Sequence, residues 1–362
     1  MIVSALSIST GCRDTTPTVQ DQLDHYFGSI FKENEPGASV VILRGDDEVF
    51  KKSYGLADLT TGELITSQTL FNLGSVSKTF VAYGILILRE QGKLSLHDPL
   101  SKYFDGFRNQ SIADRVTIRD LLTHTSGLPD LRKVREDSVF YLTAKDEENW
   151  APIMQADSLL FEPGKRYEYS NPAFNALALI IEKVSGVKWQ QFITDNVLVP
   201  SGMMRSTITD GPHPETGVSH GYVQVNGQWT EKDYGEEPTF AAAGNGGVWS
   251  SVEELIRYEK AIQEFRFAKR ETYAASRTVD RASNWREESA PFMGWSWFIE
   301  RTEEGVKTIG HTGTQGGFYC HYVYLPDSHI LYVLLANREY PREESFTYVL
   351  RLLREHNLLN TK

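Results

Sequence analysis

The chain has 362 residues, 40% hydrophobic and 23% charged, enough apolar material for one large core or two closely packed lobes. Its formal net charge of −11 argues against a nucleic-acid binder, because phosphate recognition needs a basic surface. No apolar run reaches the length of a membrane span, and two cysteines, Cys12 and Cys320, give no disulfide framework.

Residues 1–17 read apart from the rest. Residues 1–11 are small and apolar, end in Ser9-Thr10-Gly11-Cys12, and pass into a polar stretch. This looks like the tail of a bacterial lipoprotein signal, with Cys12 as the lipidation candidate and the cell envelope or periplasm as the expected location. No Lys or Arg precedes the apolar part, so a cytoplasmic tail is the alternative.

A helix is predicted over residues 19–32, then a hairpin of strands 38–44 and 48–54 around Gly45-Asp46-Asp47. Residues 70–74 read as a short strand and tight turn that open a helix over 76–91, closed by Gly92. Further helices are expected over 118–122, 149–157, 172–185, 188–196 and 251–265, with a polar loop excursion at 271–290. Strands at 294–301, 306–310, 317–325 and 330–337 follow at hairpin spacing, and an amphipathic helix over 343–356 closes the chain. Strands at both ends with helices between predict an α+β fold in which the terminal segments build one antiparallel sheet. One catalytic domain is expected over 18–362, with a sheet lobe from 18–75 and 241–362 and an inserted, mainly helical lobe from 76–240.

The chemistry concentrates in three short motifs. S-x-x-K occurs three times, at Ser29, Ser75 and Ser185, which is no more than ordinary composition gives. Tyr169-Ser170-Asn171 and His311-Thr312-Gly313 each occur once in their pattern. Ser75 stands at a helix N-terminus, where free backbone N–H groups can hold an oxyanion, and Lys78 lies one turn on along the same face. Ser29 falls inside an amphipathic helix, and Ser185 at a helix end beside Gly186. A serine hydroxyl needs a base, and a lysine serves only when burial or a nearby cation makes it neutral. A phenol among cations can share the task, so the motif leaves Lys78 and Tyr169 both open as the base.

In this order and spacing, Ser75-Val76-Ser77-Lys78, Tyr169-Ser170-Asn171 and His311-Thr312-Gly313 resemble the serine β-lactamase and penicillin-binding-protein superfamily. The Tyr-x-Asn form points to its class C β-lactamase and DD-carboxypeptidase branch. Residues 121–129 and 242–247 look like further phrases of that branch, in which His124 is usually structural. The resemblance implies a β-lactamase/transpeptidase-like fold, with an antiparallel sheet flanked by helices and the site between sheet and helical lobe. It implies acyl transfer through Ser75, with Lys78 and Tyr169 moving the proton and Asn171 orienting Lys78 and a substrate amide. It also implies an oxyanion hole at the N–H groups of Ser75 and Thr314, with His311, Thr312 and Gly313 along the cleft edge. The implied partner is a small-molecule or peptide substrate, namely a D-amino-acid peptide, an ester or a β-lactam, with no cofactor, no metal and no nucleic acid. A penicillin-binding sensor that acylates without turnover is the alternative, and the oligomeric state is left open.

Three rival readings are weaker. Gly217-Val218-Ser219-His220-Gly221 matches the nucleophile elbow, but a hairpin pattern follows it instead of a helix. Cys320 and His321 are adjacent on a predicted strand and so face opposite ways, which argues against a metal site with His329. Gly244, Gly246 and Gly247 lack the Lys-Ser/Thr of a phosphate loop and read as a tight turn. His311 replaces the lysine of efficient class C β-lactamases. An ordinary imidazole would discharge between about pH 6 and 8 and weaken the hold on anionic substrates.

Overall fold

The computed structural model describes residues 17–132, 138–208, 217–232, 241–280 and 290–360. Cys12 and the leader-like segment lie outside these described residues. Six strands form the main sheet: β1 (Ala38–Arg44), β2 (Asp47–Tyr54), β3 (Phe298–Arg301), β4 (Lys307–Gln315), β5 (Phe318–Leu325) and β6 (Ile330–Ala336). Their order is β2-β1-β6-β5-β4-β3, and every neighbouring pair is antiparallel. The amino-terminal hairpin thus joins the carboxy-terminal meander through the β1–β6 pair, which runs from Ala38 opposite Ala336 to Arg44 opposite Ile330.

Both faces of this sheet are covered, so its central strands are apolar on both sides. Along β6, Leu331, Val333 and Leu335 enter one core, while Ile330, Tyr332 and Leu334 enter the other. The second core is closed by two terminal helices, α1 (Val19–Ile30) and α6 (Arg342–Glu355), through Leu23, Phe27, Val349 and Leu353. Thr18 starts α1 with a capping box to Asp21, which satisfies two otherwise unpaired amides.

The larger core lies between the sheet and the helical region. Its centre is α2 (Ser77–Glu90), buried from Ser77 through Leu88 and packed against α4 (Asn171–Ser185). The expected helix at 149–157 is instead α3 (Asp146–Trp150) and a short 3₁₀ turn at Ile153–Gln155. Pro152 stands between them and supplies no N–H for a continuous helix. Residues 271–290, expected as a loop, begin inside a helix at Arg270–Ser276. The expected 251–265 helix is α5 (Val252–Gln263).

Candidate active site

Ser75 sits in a 3₁₀ turn (Gly74–Val76) that runs directly into α2. Asn72 fixes the turn from below: its side-chain carbonyl accepts the Gly74 N–H at 2.8 Å, and its amide donates to the Gly246 carbonyl at 3.0 Å. Gly74 has φ +50°, and a Cβ there would meet the Thr314 amide nitrogen at 2.8 Å. From the other side, a Cβ on Gly313 would lie 2.0 Å from the Leu73 carbonyl oxygen and 3.2 Å from the Ser75 nitrogen. Both glycines are needed for the turn and β4 to approach backbone to backbone, and that approach sets the Ser75 and Thr314 amides side by side. β3 pairs with β4 only from Lys307 to Gly310, so the 311–315 edge is left for the Ser75 turn. Behind the edge, Arg342 donates to the Thr314 hydroxyl at 2.8 Å.

Lys78 Nζ lies 3.0 Å from Ser75 Oγ and donates to the Asn245 carbonyl at 2.6 Å. Among the described residues the amine has no carboxylate partner. Burial, and secondarily the charge of Arg132, holds its pKa well below the ordinary lysine value. Arg132 is itself buried and locked by two bonds to the Asp130 carboxylate and one to Asn149.

The Asn245 carbonyl is held in turn. Buried Asp146 accepts from the Gly244 N–H at 2.9 Å and from the Asn175 amide at 2.7 Å. Asn175 also donates to the Asn245 side chain at 3.3 Å. Burial pushes the Asp146 carboxyl up to about 7. Sequence reading missed Asp146, Asn175 and Asn245. The apolar-flanked Gly-Asn-Gly-Gly stretch was the available signal, but nothing in it reveals that a main-chain carbonyl takes the lysine.

Tyr169 enters from the loop before α4, and its ring centroid lies 5.2 Å from Lys78 Nζ. His124, at φ +54° and fully buried, brackets this loop. Its carbonyl accepts the Glu168 N–H at 2.8 Å, its Nδ1 accepts the Ser170 N–H at 2.9 Å, and its ring stacks on Tyr169 at 4.4 Å. Ser170 caps α4, and Pro172 occupies its first turn. Asn171 borders the cleft, but the bond to Lys78 expected from the sequence is taken by the Asn245 carbonyl. The Asn171 Oδ1 is buried without a hydrogen-bond partner among the described residues.

His311 is 2% exposed and its Nδ1 lies 2.7 Å from the Thr312 carbonyl, so the proton sits on Nδ1 and Nε2 is bare. Burial, then the Lys78 charge, holds its pKa at about 3 against the Thr312 bond. The expected discharge between pH 6 and 8 therefore does not apply: His311 is neutral throughout that range. Ser75, Tyr169, Asn171, His311, Thr312 and Thr314 all border one cleft of about 1200 Å³. Ser219 is elsewhere, fully buried, and followed by the hairpin Tyr222–Val225 and Gln228–Glu231. Ser29 and Ser185 also lie outside the cleft lining.

A family model described as Beta-lactamase matches residues 18–355. The chain belongs to the beta-lactamase family. Among curated relatives, this family member is 28% identical over 331 residues to Penicillin-binding protein 4* of Bacillus subtilis (strain 168), covering 88% of this chain and 71% of that one. Among solved structures, the octameric penicillin-binding protein homologue from Pyrococcus abyssi superposes with a TM-score of 0.79 at 27% identity, covering 92% of this chain and 75% of that one. D-amino acid amidase from Ochrobactrum anthropi SV3, complexed with D-phenylalanine, shares the fold with a TM-score of 0.77 at 19% identity, covering 93% and 98%. Membership agrees with the α+β architecture and with a serine hydrolase that works through an acyl-enzyme.

Proposed function

We propose that Ser75 is the nucleophile of an acyl-enzyme hydrolase acting on small esters or D-amino-acid amides and peptides, with Lys78 and Tyr169 as its proton carriers. The observation that carries this reading is the buried Lys78 amine 3.0 Å from the Ser75 hydroxyl. In its neutral form the amine gives one N–H to Asn245 and turns its lone pair to the hydroxyl. The Ser75 oxygen bonds to the substrate carbonyl carbon as its proton passes to Lys78. The Ser75 and Thr314 amides hold the resulting oxyanion. Collapse breaks the bond to the leaving oxygen or nitrogen, which takes the proton back through Tyr169 or Lys78. Water then attacks the acyl-enzyme by the same route and regenerates Ser75.

The neutral His311 favours the esters and amides of this class, which need no carboxylate anchor, over β-lactams, because no fixed cation stands at that point to receive a carboxylate. The test is a panel of p-nitrophenyl esters, D-Ala-D-Ala peptides and nitrocefin with the wild type and Ser75→Ala. Steady ester or peptide turnover with slow nitrocefin hydrolysis is expected, and Ser75→Ala should lose both turnover and labelling by a fluorophosphonate probe. Ser219→Ala should keep the label. A stoichiometric burst without turnover would instead identify a penicillin-binding sensor.

A further inference from the structure

Past His311 the cleft continues as an arm along the two outermost strands, and its character changes with distance. Lys307, Ile309 and His311 alternate onto one face of β4. Antiparallel pairing sets Arg301 opposite Lys307 and Ile299 opposite Ile309, so these β3 residues share that face. An aromatic row runs past the sheet edge: Tyr167 meets Phe292 edge-on at 4.8 Å, Phe292 stacks with Phe298 at 6.3 Å, and Phe298, which alternates to the other face of β3, still reaches His311 at 5.0 Å. A group entering the arm therefore passes a neutral imidazole, then apolar and aromatic walls, then two cations. Four strand residues place Lys307 ~13 Å from His311.

The two cations are not accounted for by folding. Like charges directly opposite on neighbouring strands destabilise a sheet. Half-buried Lys307 makes no hydrogen bond or ion pair among the described residues, and Arg301 gives one bond, to the Gly305 carbonyl. Glu300 also borders the cleft and adds to the effect of burial in raising the Tyr167 pKa; burial, then Glu343, raise its own pKa and so favour its uncharged form there. In a chain of net charge −11, half-buried Lys307 and exposed Arg301 stand opposite each other at the end of an apolar arm with no carboxylate partner among the described residues, an arrangement that suits an anionic ligand.

We propose that this arm binds the leaving group of the substrate, and that this group is a flat apolar body ending in a carboxylate held by Lys307 and Arg301. The proposal rests on the serine hydrolase reading for its direction: Tyr169, which returns the proton to the departing atom, stands at the entrance of the arm, 6.4 Å from His311. It moves the anion site of the cleft away from His311 and sets a length for the substrate.

The test uses two acetate esters, one of 4-(4-hydroxyphenyl)butanoic acid and one of its carboxamide, which differ only in the charge at the far end. The wild type should hydrolyse the acid with kcat/KM about tenfold above the amide, the scale of one charge-assisted hydrogen bond. That ratio should fall towards one in the Arg301→Gln, Lys307→Gln double variant, and also in the wild type as salt rises. A ratio of one in the wild type, or a ratio the double variant and salt leave untouched, overturns the proposal. The free phenol acid and its amide are then titrated calorimetrically against the wild type, which reads the arm without catalysis. Tighter binding of the acid with no hydrolysis of either ester would retain the arm and reject the hydrolase reading. Equal binding would reject the arm itself.

Discussion

Lys78 is bonded more closely to the Asn245 carbonyl, at 2.6 Å, than to the Ser75 hydroxyl, at 3.0 Å. The carbonyl takes one N–H of the amine, so that on the proposed reading the neutral amine can offer its lone pair to the serine. Being uncharged, the carbonyl does so without the stabilisation of the ammonium that a carboxylate would bring. Burial and Arg132 bias the amine further towards its neutral form.

Removing either proton carrier should therefore slow turnover strongly. Lys78→Ala and Tyr169→Phe are each expected to lower kcat by ~10²–10⁴-fold, the range for general acid–base groups. Single-turnover acylation by a p-nitrophenyl ester measures this directly. Near-normal acylation in either variant would remove that residue from the proton path.

The pH profile separates Lys78 from His311. Lys78 works as a base only when deprotonated, so kcat/KM should be present above its lowered pKa and fall as pH drops through it. His311, at about 3, should add no step between pH 6 and 8, and His311→Gln should keep the profile's shape. An inflection in that window that disappears with His311→Gln would contradict the buried, neutral imidazole. Among the described residues, Lys78, His124 and Tyr169 surround its ring, Tyr322 stands opposite it on β5, and Glu300, His321 and Glu343 border a cavity with it.

Asp146 acts on Lys78 at second hand, through Gly244 and Asn175. Asp146→Ala frees the loop that presents the Asn245 carbonyl. It is expected to lower kcat by about 10²-fold, as small misplacements near a reacting centre do. KM should change little, because Asp146 does not border the cleft. A variant that unfolds early would show the loss in Tm as well. A fall in KM-dependent terms alone would assign Asp146 a different role.

His321 gives a stability test away from the catalysis. Burial, then the charge of Arg342, holds it at about 3, below the ~6.5 of an unfolded-state imidazole. Its folded pKa is depressed, so the unfolded chain binds more protons between those values. Stability is full above about pH 6.5 and is lost as pH falls towards 3, by up to ~1.4 kcal/mol per pH unit. His321→Phe, packed between Tyr332 and Phe346, should flatten urea-unfolding stability across pH 6.5 to 4 relative to the wild type. Parallel curves would reject a buried neutral His321.

Much of the scaffold was legible because its signals are local. The glycine-ended 76–91 pattern and the hairpin-spaced strands near the end give α2, β5 and β6 within a few residues. β4 runs five residues beyond the expected 306–310, because Gly313 reads as a break in isolation. Its absent side chain instead serves the approach of a turn from the other end of the sequence. The motif residues Ser75, Lys78, Tyr169 and His311 were legible as residue types, but their protonation was not. The His311 charge depends on burial against Phe298 of the neighbouring strand β3 and against Tyr169, which arrives from a distant segment. The Asn245 carbonyl leaves no trace in any side chain, and Asp146 resembles any helix-start carboxylate until its neighbours are known.

The close packing of Gly74 against Gly313 has a consequence for how the protein comes to life. The two halves of the proposed oxyanion pocket are made early and late in translation, so on that reading neither the Ser75 turn nor the lysine beside it could stabilise a tetrahedral adduct until β4 docks. A nascent chain would stay chemically silent through synthesis of its whole helical region. Reactivity would then appear in one step, as the last hairpins leave the ribosome and close the sheet.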